Sequence, residues 1–309
     1  MRLIGIDGGG TKTEAVAFDE AGHMLARHLT GPCNPSVSGF DASVGCVAEC
    51  MDALVAESGR PDVVYIGTAG IFTKDDGPRF AAAVSRRCGV ENVKCENDVM
   101  NVIASATEAD RCVAGVCGTG MIVYAKEPGG VTRLGGWGYL LEHGGSGYAI
   151  GRDVIRAAVG ESEGTSAATT LTPLVERKAG MSLERLVLDV YRQEPSFVAS
   201  FAPLAFEADA AGDAVAHDVV ARNARLFAGL LNHAAATYDC GGVVVVSGGV
   251  ATNPRFGELL RRELTGGLSL VVPARPQVLG ACFNCAAMSG VDSMPLRKRL
   301  TMEYNRECK

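Results

Sequence analysis

The chain has 309 residues, of which 47% are hydrophobic and 21% charged, and its formal net charge is −6. This composition excludes a disordered chain, and at roughly 150 residues per domain the length predicts two domains. The negative charge argues against a nucleic-acid or anionic-membrane surface, and no apolar run approaches the ~20 residues that span a bilayer. Because the N-terminus shows no signal peptide, we expect a soluble, cytoplasmic protein without nucleic-acid or membrane partners.

The first stretch with chemical character is a glycine turn between two apolar runs. Walker loops and dinucleotide fingerprints lead from a strand into a helix, whereas here a second strand-like run, 14–18, follows at once. The pattern predicts a β-hairpin whose main-chain N–H groups bind phosphate oxygens. Asp7 precedes the turn as a candidate metal partner, or as a plain strand-end cap, and Lys12 either contacts phosphate or points outward. The turn residues are Gly8, Gly9, Gly10, Thr11, Lys12 and Thr13.

Helices and strands alternate through the remainder of the first half. The apolar periodicity predicts helices over 39–58, 77–87 and 99–107 and short strands over 63–66 and 93–96. Asn34 lies in a proline-flanked turn, where asparagine is also common for structural reasons. Asp98 lies between the second strand and the third helix, where aspartate is a favoured helix N-cap.

The opening pattern returns in the second half. A strand over 112–116 leads into the turn Gly118–Gly120, and a strand over 121–125 follows. The simplest account of this duplication is two lobes of one topology, each presenting a phosphate-binding hairpin to a common cleft. Two ordinary tight hairpins are the alternative.

A glycine-rich segment and several helices complete the chain. Residues 134–148 contain six glycines and the only tryptophan, Trp137, which favours a functional loop because so much glycine weakens a helix or strand. Further predictions are a helix over 149–158, mostly helical structure over 164–211 with breaks near Pro173, Gly180, Pro195 and Pro203, a long helix over 213–237, a buried strand over 243–246, a helix over 255–264, a strand over 268–272 and a helix over 277–290.

The eleven cysteines are spread through core-like segments. In a reducing compartment such residues are mostly small buried hydrophobic groups. Cys282 and Cys285 form one C-x-x-C pair inside a helix-like run, which is weak support for a metal site.

Taken in order, these motifs resemble the superfamily of actin, Hsp70-type ATPases and sugar kinases (ASKHA). Within it, the chain is most similar to the BadF/BadG/BcrA/BcrD-type ATPase family, which includes amino-sugar kinases. The resemblance lies in residues 7–13, 31–35, 96–98, 118–120, 135–138, 145–147, 246–250 and 273–281. It implies an α/β fold of two ribonuclease-H-like, actin-like lobes around a central cleft. The first lobe would be 1–108, completed by a C-terminal helix within 290–309, and the second would be 109–289.

The resemblance also implies an activity and its residues. We expect transfer of the γ-phosphate of ATP to a hydroxyl of an amino sugar, N-acetylglucosamine first and glucosamine second, with Mg²⁺ and in a homodimer. Asp98 would be the general base and Asp7 would hold Mg²⁺. Besides the first turn, the nucleotide would contact Gly118, Thr119, Gly120, Gly248, Gly249 and Asn253. The sugar would contact Asn34, Asp98, Gly136, Trp137, Glu142 and His143, with Trp137 either walling the sugar or packing in the core.

One segment departs from the family pattern. Amino-sugar kinases usually have Gly-Asp-Glu-Gly-Ser where this chain has Glu142-His143-Gly144-Gly145-Ser146. An ionised aspartate only accepts hydrogen bonds, whereas a neutral histidine offers one donor and one acceptor; Glu142 would supply the missing carboxylate. Two other functions stay open: an activator ATPase of acyl-CoA dehydratases or reductases with an iron–sulfur cluster at its dimer interface, and a non-catalytic sugar sensor.

Overall fold

The computed structural model describes residues 1–308, which divide into two units. Unit 1 contains residues 1–108 and the chain from Pro273 onward, and unit 2 contains Ala109–Val272. The strands are β1 (Arg2–Gly8), β2 (Thr13–Asp19), β3 (Met24–Thr30), β4 (Val63–Thr68), β5 (Asn92–Asn97), β6 (Cys112–Cys117), β7 (Met121–Glu127), β8 (Gly130–Gly135), β9 (Val243–Ser247) and β10 (Ser269–Val271).

In the described part of the chain, twelve helices cover and connect these strands. They are α1 (Phe40–Ser58), α2 (Asp76–Cys88), α3 (Val99–Ala106), α4 (Gly147–Ser162), α5 (Leu171–Ala179), α6 (Leu183–Val190), α7 (Pro195–Ala199), α8 (Ala202–Ala210), α9 (Ala214–Thr237), α10 (Pro254–Glu263), α11 (Gln277–Met288) and α12 (Met294–Glu307). Among the helices of residues 1–308, none combines the length and apolar character that a membrane crossing requires.

The two sheets share one topology. The strand order is β3-β2-β1-β4-β5 in unit 1 and β10-β9-β6-β7-β8 in unit 2. In each, an antiparallel meander of three strands continues into two parallel strands. The predicted duplication is therefore confirmed, although β8, the third strand of the second meander, was missing from the prediction.

Alternation along β1 assigns its side chains to the two faces of the first sheet. Ile4 and Ile6 pack in a core with α1 and α2, whereas Leu3 packs in a second core with α11 and α12. This period of two is the consequence of strand geometry. The sheet is thus covered on both faces, and every residue of β1 is buried except Arg2 and Asp7, which are partly exposed.

The C-terminal helices correct the predicted lobe boundary. Residues 273–289 were expected in the second lobe, but α11 packs on β1 and α3 of unit 1. Two glycines allow these elements to approach closely. A Cβ on Gly5 of β1 would lie 2.5 Å from the main-chain N of Cys282 in α11, and a Cβ on Gly280 of α11 would lie 1.9 Å from the main-chain O of Asn101 in α3. Side chains at these positions would separate the helix from the sheet. The helix expected within 290–309 is α12, also in unit 1.

The predicted breaks between 164 and 211 are confirmed, since a helix ends or begins close to each of the four residues, and each proline lies in the first turn of the helix that follows the break. Pro173 and Pro203 lie inside α5 and α8, and Pro195 is the first residue of α7. A proline fits the first turn of a helix because the N–H groups there have no intrahelical partner. Gly180 ends α5 in a left-handed conformation, as a C-terminal glycine commonly does.

We predict that Gly280→Ala lowers the stability of unit 1. The added methyl overlaps the Asn101 carbonyl, and overpacking of this kind costs about 1–3 kcal/mol. Urea unfolding followed by circular dichroism measures the change.

Gly45→Ala is the matched control. Gly45 is exposed in α1 of the same unit, and a Cβ there would meet no atom of the described chain within 4 Å. Replacing a helical glycine by alanine at an open position stabilises by about 0.5–1 kcal/mol. If both variants were equally stable, the close approach of α11 would not be a constraint.

Candidate functional site

The carboxyl ends of the parallel strands of unit 1 lie at one sheet edge. The main-chain N of Ala69, after β4, donates to the Gly8 carbonyl at 2.9 Å, and that of Asp98, after β5, donates to the Thr68 carbonyl at 3.2 Å. Two carboxylates, those of Asp7 and Asp98, therefore belong to the same edge. Ligand sites in open α/β sheets form at this edge.

The hairpin between β1 and β2 has the predicted shape. The N–H of Gly9 donates to the Lys12 carbonyl at 3.0 Å, and a Cβ on Gly10 would meet no described atom within 4 Å. Gly8 is closely packed, because a Cβ there would lie 2.6 Å from the hydroxyl oxygen of Thr68. The exposed turn therefore presents main chain rather than side chains at its tip, as a phosphate-binding loop requires.

The Thr13 hydroxyl and the Lys12 ammonium of the turn both have partners within the protein. Thr13 is fully buried and its hydroxyl oxygen accepts from the Cys46 thiol at 3.4 Å. Lys12 is exposed, and its Nζ lies 3.5 Å from Oε2 of Glu14. Thr13 could therefore contribute its main chain only, while the Lys12 ammonium remains at the rim of the turn.

Asp7 is a carboxylate held in place by an amide. Its Oδ1 accepts from Nδ2 of Asn101 at 2.7 Å. Burial raises the pKa of Asp7 to about 7, the Asn101 hydrogen bond acts against this, and the charges of Asp98 and Glu14 add to the rise. Paired carboxylates with little compensating positive charge favour a cation, and oxygen ligands suit Mg²⁺. Residues 1–308 contain no cluster of three or more His, Cys, Asp or Glu side chains arranged for a metal, so most ligands would come from nucleotide and water, as Mg²⁺ prefers.

Asp98 begins α3, but its carboxylate is not engaged in capping. Within residues 1–308 its side chain makes no capping hydrogen bond, and its backbone is already helical. Asn97 instead accepts from the N–H of Val99 at 3.0 Å. Burial raises the pKa of Asp98 to about 6, and the nearby N–H groups of Val99 and Asp98 offset part of the rise. A carboxylate with a pKa just below neutrality is suited to accept a proton.

The turn that contains Asn34 lies beside the end of β4. Oδ1 of Asn34 accepts from the N–H and the hydroxyl of Ser36, at 3.1 and 2.7 Å. Gly70 has a φ of +82°, and a Cβ there would lie 2.3 Å from Oδ1 of Asn34. The oxygen of the amide is therefore committed to the turn, and Nδ2 is the group that could donate to a ligand.

Unit 2 contains its own cavity, of about 560 Å³. Four predicted nucleotide residues line it: Gly118, Thr119, Gly249 and Asn253. The glycine turn is tied to α4, since the N–H of Gly147 donates to the Gly118 carbonyl at 2.7 Å. A second part of the lining was not predicted. It comes from α7, α8 and the short segment between them: Ser196, Ala199, Ser200, Ala202, Pro203 and Phe206. The volume is within the range typical of small-molecule pockets.

Gly248 and Gly120, the other predicted nucleotide residues of unit 2, support this cavity without lining it, and Asn253 both lines it and caps a helix. Gly248 has a φ of +94°, and a Cβ there would lie 2.4 Å from the Cys117 carbonyl, so only glycine lets β9 end this close to β6. Gly120 closes the turn by accepting from the N–H of Gly118 at 2.9 Å. Oδ1 of Asn253 caps α10 by accepting from the N–H of Arg255 at 2.9 Å.

The glycine-rich segment is a loop, as predicted, between β8 and α4. Trp137 is 63% exposed, so the alternative of a core tryptophan is wrong. The Arg133 guanidinium lies 4.2 Å from its ring centroid and donates to the Gly136 carbonyl at 2.9 Å. His143 is exposed. Glu142 is half-buried, accepts from the Ser146 hydroxyl, and has a pKa raised chiefly by burial.

Two supporting residues escaped prediction from the sequence. Asn101 contacts Asp7, and Asn223 of α9 accepts from the N–H of Gly145 at 2.9 Å while donating to buried Asp153 at 3.0 Å. Asn223 therefore anchors the end of the glycine-rich loop. The only signal in the sequence for either is an asparagine on the apolar face of a helix, which needs a partner when buried.

The chain is similar in sequence and in fold to known proteins. A family model described as the BadF/BadG/BcrA/BcrD ATPase family matches residues 4–282. The N-acetyl-D-glucosamine kinase of Dictyostelium discoideum is 31% identical over 249 residues, 74% of this chain and 78% of that protein. The N-acetylmuramic acid/N-acetylglucosamine kinase of Clostridium acetobutylicum is 28% identical over 162 residues, which are 51% of this chain and 53% of that protein. A crystal structure from Chromobacterium violaceum, provisionally assigned as an N-acetylglucosamine kinase, matches this chain with a TM-score of 0.69 at 23% identity. The match covers 91% of this chain and 97% of that one, and it shows the actin-like fold.

We predict that Ser196→Trp weakens the binding of ADP at least tenfold. Ser196 is exposed and lines the unit 2 cavity, so an indole there would occupy space that a nucleotide in this cavity would need. Isothermal titration calorimetry gives the dissociation constant. Ser162→Trp, an equally exposed serine at the end of α4 and outside the cavity, should bind ADP as the wild type does. Equal affinity in all three proteins would move the nucleotide site away from α7 and α8.

Proposed function

Because the chain belongs to the BadF/BadG/BcrA/BcrD ATPase family, we propose that it is an ATP-dependent kinase that phosphorylates a hydroxyl of an amino sugar. N-acetylglucosamine is the first choice, since the similar Dictyostelium protein is a kinase of that sugar, and glucosamine is the second. The observation that carries the proposal is the placement of Asp7 and a non-capping Asp98 at one strand edge of unit 1.

Asp98 is the proposed general base. Phosphoryl transfer to an alcohol needs little covalent help from the protein, but the attacking hydroxyl must be oriented and must lose its proton. A carboxylate that is ionised at neutral pH, yet has a pKa raised to about 6, accepts that proton readily. The position of Asp98 at the start of α3 keeps it fixed while its side chain stays available.

The two glycine turns are proposed to bind the phosphates of ATP. Main-chain N–H groups of residues 8–12 and of Gly118 and Thr119 would donate to phosphate oxygens, with Lys12 adding positive charge at the rim. Asp7 would hold Mg²⁺ together with nucleotide oxygens and water. Bound Mg²⁺ would supply neutralisation of charge on the transferred phosphate.

The sugar is proposed to bind through Nδ2 of Asn34 and through the glycine-rich loop. Gly136, Trp137, Glu142 and His143 are the loop residues that we propose to contact it. His143 stands where amino-sugar kinases have an aspartate, and its exposure leaves it available to a ligand. Gly144 has a φ of +110° and a Cβ there would lie 2.6 Å from Leu226, so a glutamate at this position would be strained in this chain.

The cysteines give little support to an activator ATPase. Cys282 and Cys285 are fully buried, and burial raises the pKa of the Cys285 thiol to about 12, which opposes the thiolate that an iron–sulfur cluster needs. Eight of the eleven cysteines are buried and Cys308 is exposed. We further propose a homodimer located in the cytoplasm, where ATP is available and free thiols stay reduced.

The test of the function is ADP release measured with a panel of hexoses and hexosamines. We expect release that depends on N-acetylglucosamine or glucosamine, and a loss of about 10²–10⁴-fold in kcat for Asp98→Asn, the usual contribution of a general base. Sugar binding without ADP release would indicate a sensor instead.

The same variant separates catalysis from structure. Asp98→Asn should keep the nucleotide affinity within about threefold and should raise Tm at pH 7.5, because a neutral amide avoids the cost of burying a charge. In the wild type, kcat/KM should fall about tenfold per pH unit below about pH 6, where the Asp98 carboxylate becomes protonated. Unchanged turnover in the variant would remove Asp98 as the base.

Asn34→Asp tests the sugar contact without breaking the turn. The aspartate oxygen still accepts from Ser36, but the donor Nδ2 is lost. We expect the KM for the sugar to rise roughly tenfold, the order of one lost hydrogen bond, with the KM for ATP unchanged. Ser36→Ala is the control, because it removes the hydroxyl that supports the turn and leaves Nδ2 of Asn34 in place. An equal rise in both variants would assign the effect to turn geometry rather than to a sugar contact.

A further inference from the structure

Asn101 occupies an unusual place beside Asp7. It is fully buried in the first turn of α3, and its Nδ2 donates both to Oδ1 of Asp7 at 2.7 Å and to the Gly67 carbonyl at 3.2 Å. Its main-chain N donates to the Asp98 carbonyl at 2.9 Å. One residue thus links the end of β1 to the turn of helix that carries the proposed base.

The space for this amide is created by a glycine. A Cβ on Gly67 of β4 would lie 2.2 to 2.4 Å from the amide atoms of Asn101. On the other side of the helix, Gly280 contacts the main chain of the same residue. The packing on both sides therefore holds the Asn101 side chain against the Asp7 carboxylate.

The other half of the amide is not satisfied. Oδ1 of Asn101 is buried and has no hydrogen-bond partner among residues 1–308. An unpaired buried oxygen costs free energy, and an apolar side chain of similar size would avoid that cost. The presence of asparagine is therefore better explained by what Nδ2 does for Asp7 than by packing.

We propose that Asn101 is a positioning residue, which holds Oδ1 of Asp7 so that its second oxygen, Oδ2, is presented in one orientation to the cation bound with the nucleotide. This inference rests on the proposed function, in which Asp7 binds Mg²⁺. A carboxylate with one oxygen committed to a neutral donor keeps its charge and loses its rotation about the terminal bond. The cation then meets a preformed ligand.

The experiment measures binding of Mn²⁺, a paramagnetic substitute for Mg²⁺, by electron paramagnetic resonance with the β,γ-imido analogue of ATP present. Asn101→Leu removes the donor with little change in volume, and Asn101→Ala is the smaller alternative should leucine prevent folding. Both should weaken Mn²⁺ binding at least tenfold while the affinity for the analogue without metal changes less than twofold. Ser105→Ala is the control, because this buried serine lies in the same helix and its hydroxyl donates to the Val102 carbonyl at 2.8 Å; its Mn²⁺ affinity should equal that of the wild type.

Asp7→Asn separates failure of this inference from failure of the function beneath it. If Asp7→Asn weakens Mn²⁺ binding and both Asn101 variants do not, Asn101 has no positioning role and the kinase proposal stands. If the Asn101 variants lose metal-free nucleotide binding and Tm to the same degree as Mn²⁺ binding, the role is structural and the inference is overturned. If Asp7→Asn binds Mn²⁺ as tightly as the wild type, Asp7 is not the metal residue and the inference falls with that assignment.

Discussion

The close approach of α11 to β1 and α3 is the constraint on which the geometry of unit 1 depends. Gly5 in the strand and Gly280 in the helix remove the side chains that would separate these elements. Because Asp7 is the penultimate residue of β1 and Asp98 immediately precedes α3, one helix sets the distance between the elements that carry the two carboxylates. A shift of α11 by the width of a methyl group would displace both Asp7 and Asp98, because each is attached directly to an element that α11 contacts.

The same packing has an energetic cost. Burial raises the pKa of Asp7 to about 7 and that of Asp98 to about 6, from ordinary values near 3.8. Between pH 3.8 and these raised values, the two carboxyl groups bind more protons in the folded state than in the unfolded state. Stability consequently falls as the pH rises through this window, the opposite of the usual behaviour of a salt-bridged carboxylate. In the proposed function, a cation held by Asp7 would offset this cost and would couple ligand binding to the stability of the unit.

The sequence predicts the local parts of this arrangement well and the long-range parts poorly. Both hairpins and the strand-end positions of Asp7 and Asp98 follow from short patterns of apolar residues, glycine and carboxylate. The place of α11 does not, because an apolar helix of small residues carries no information about which sheet it covers. The α7–α8 wall around Ser196 and Phe206 was also missed, since it contributes shape and no polar motif. Asn101 gives no signal before its contact with Asp7 is known.

Duplication of the fold did not duplicate its chemistry. The residue just before the glycine turn is Asp7 in unit 1 and Cys117 in unit 2, and the strands that carry them are equivalent in the two sheets. The Cys117 thiol is buried and donates to the Gly145 carbonyl at 2.8 Å, so it secures the glycine-rich loop. Asp7 instead presents a carboxyl group whose side-chain partner is the neutral amide of Asn101. The residue before the turn therefore supplies a carboxylate in unit 1 and a structural contact in unit 2, although the backbone topology around the two positions is the same.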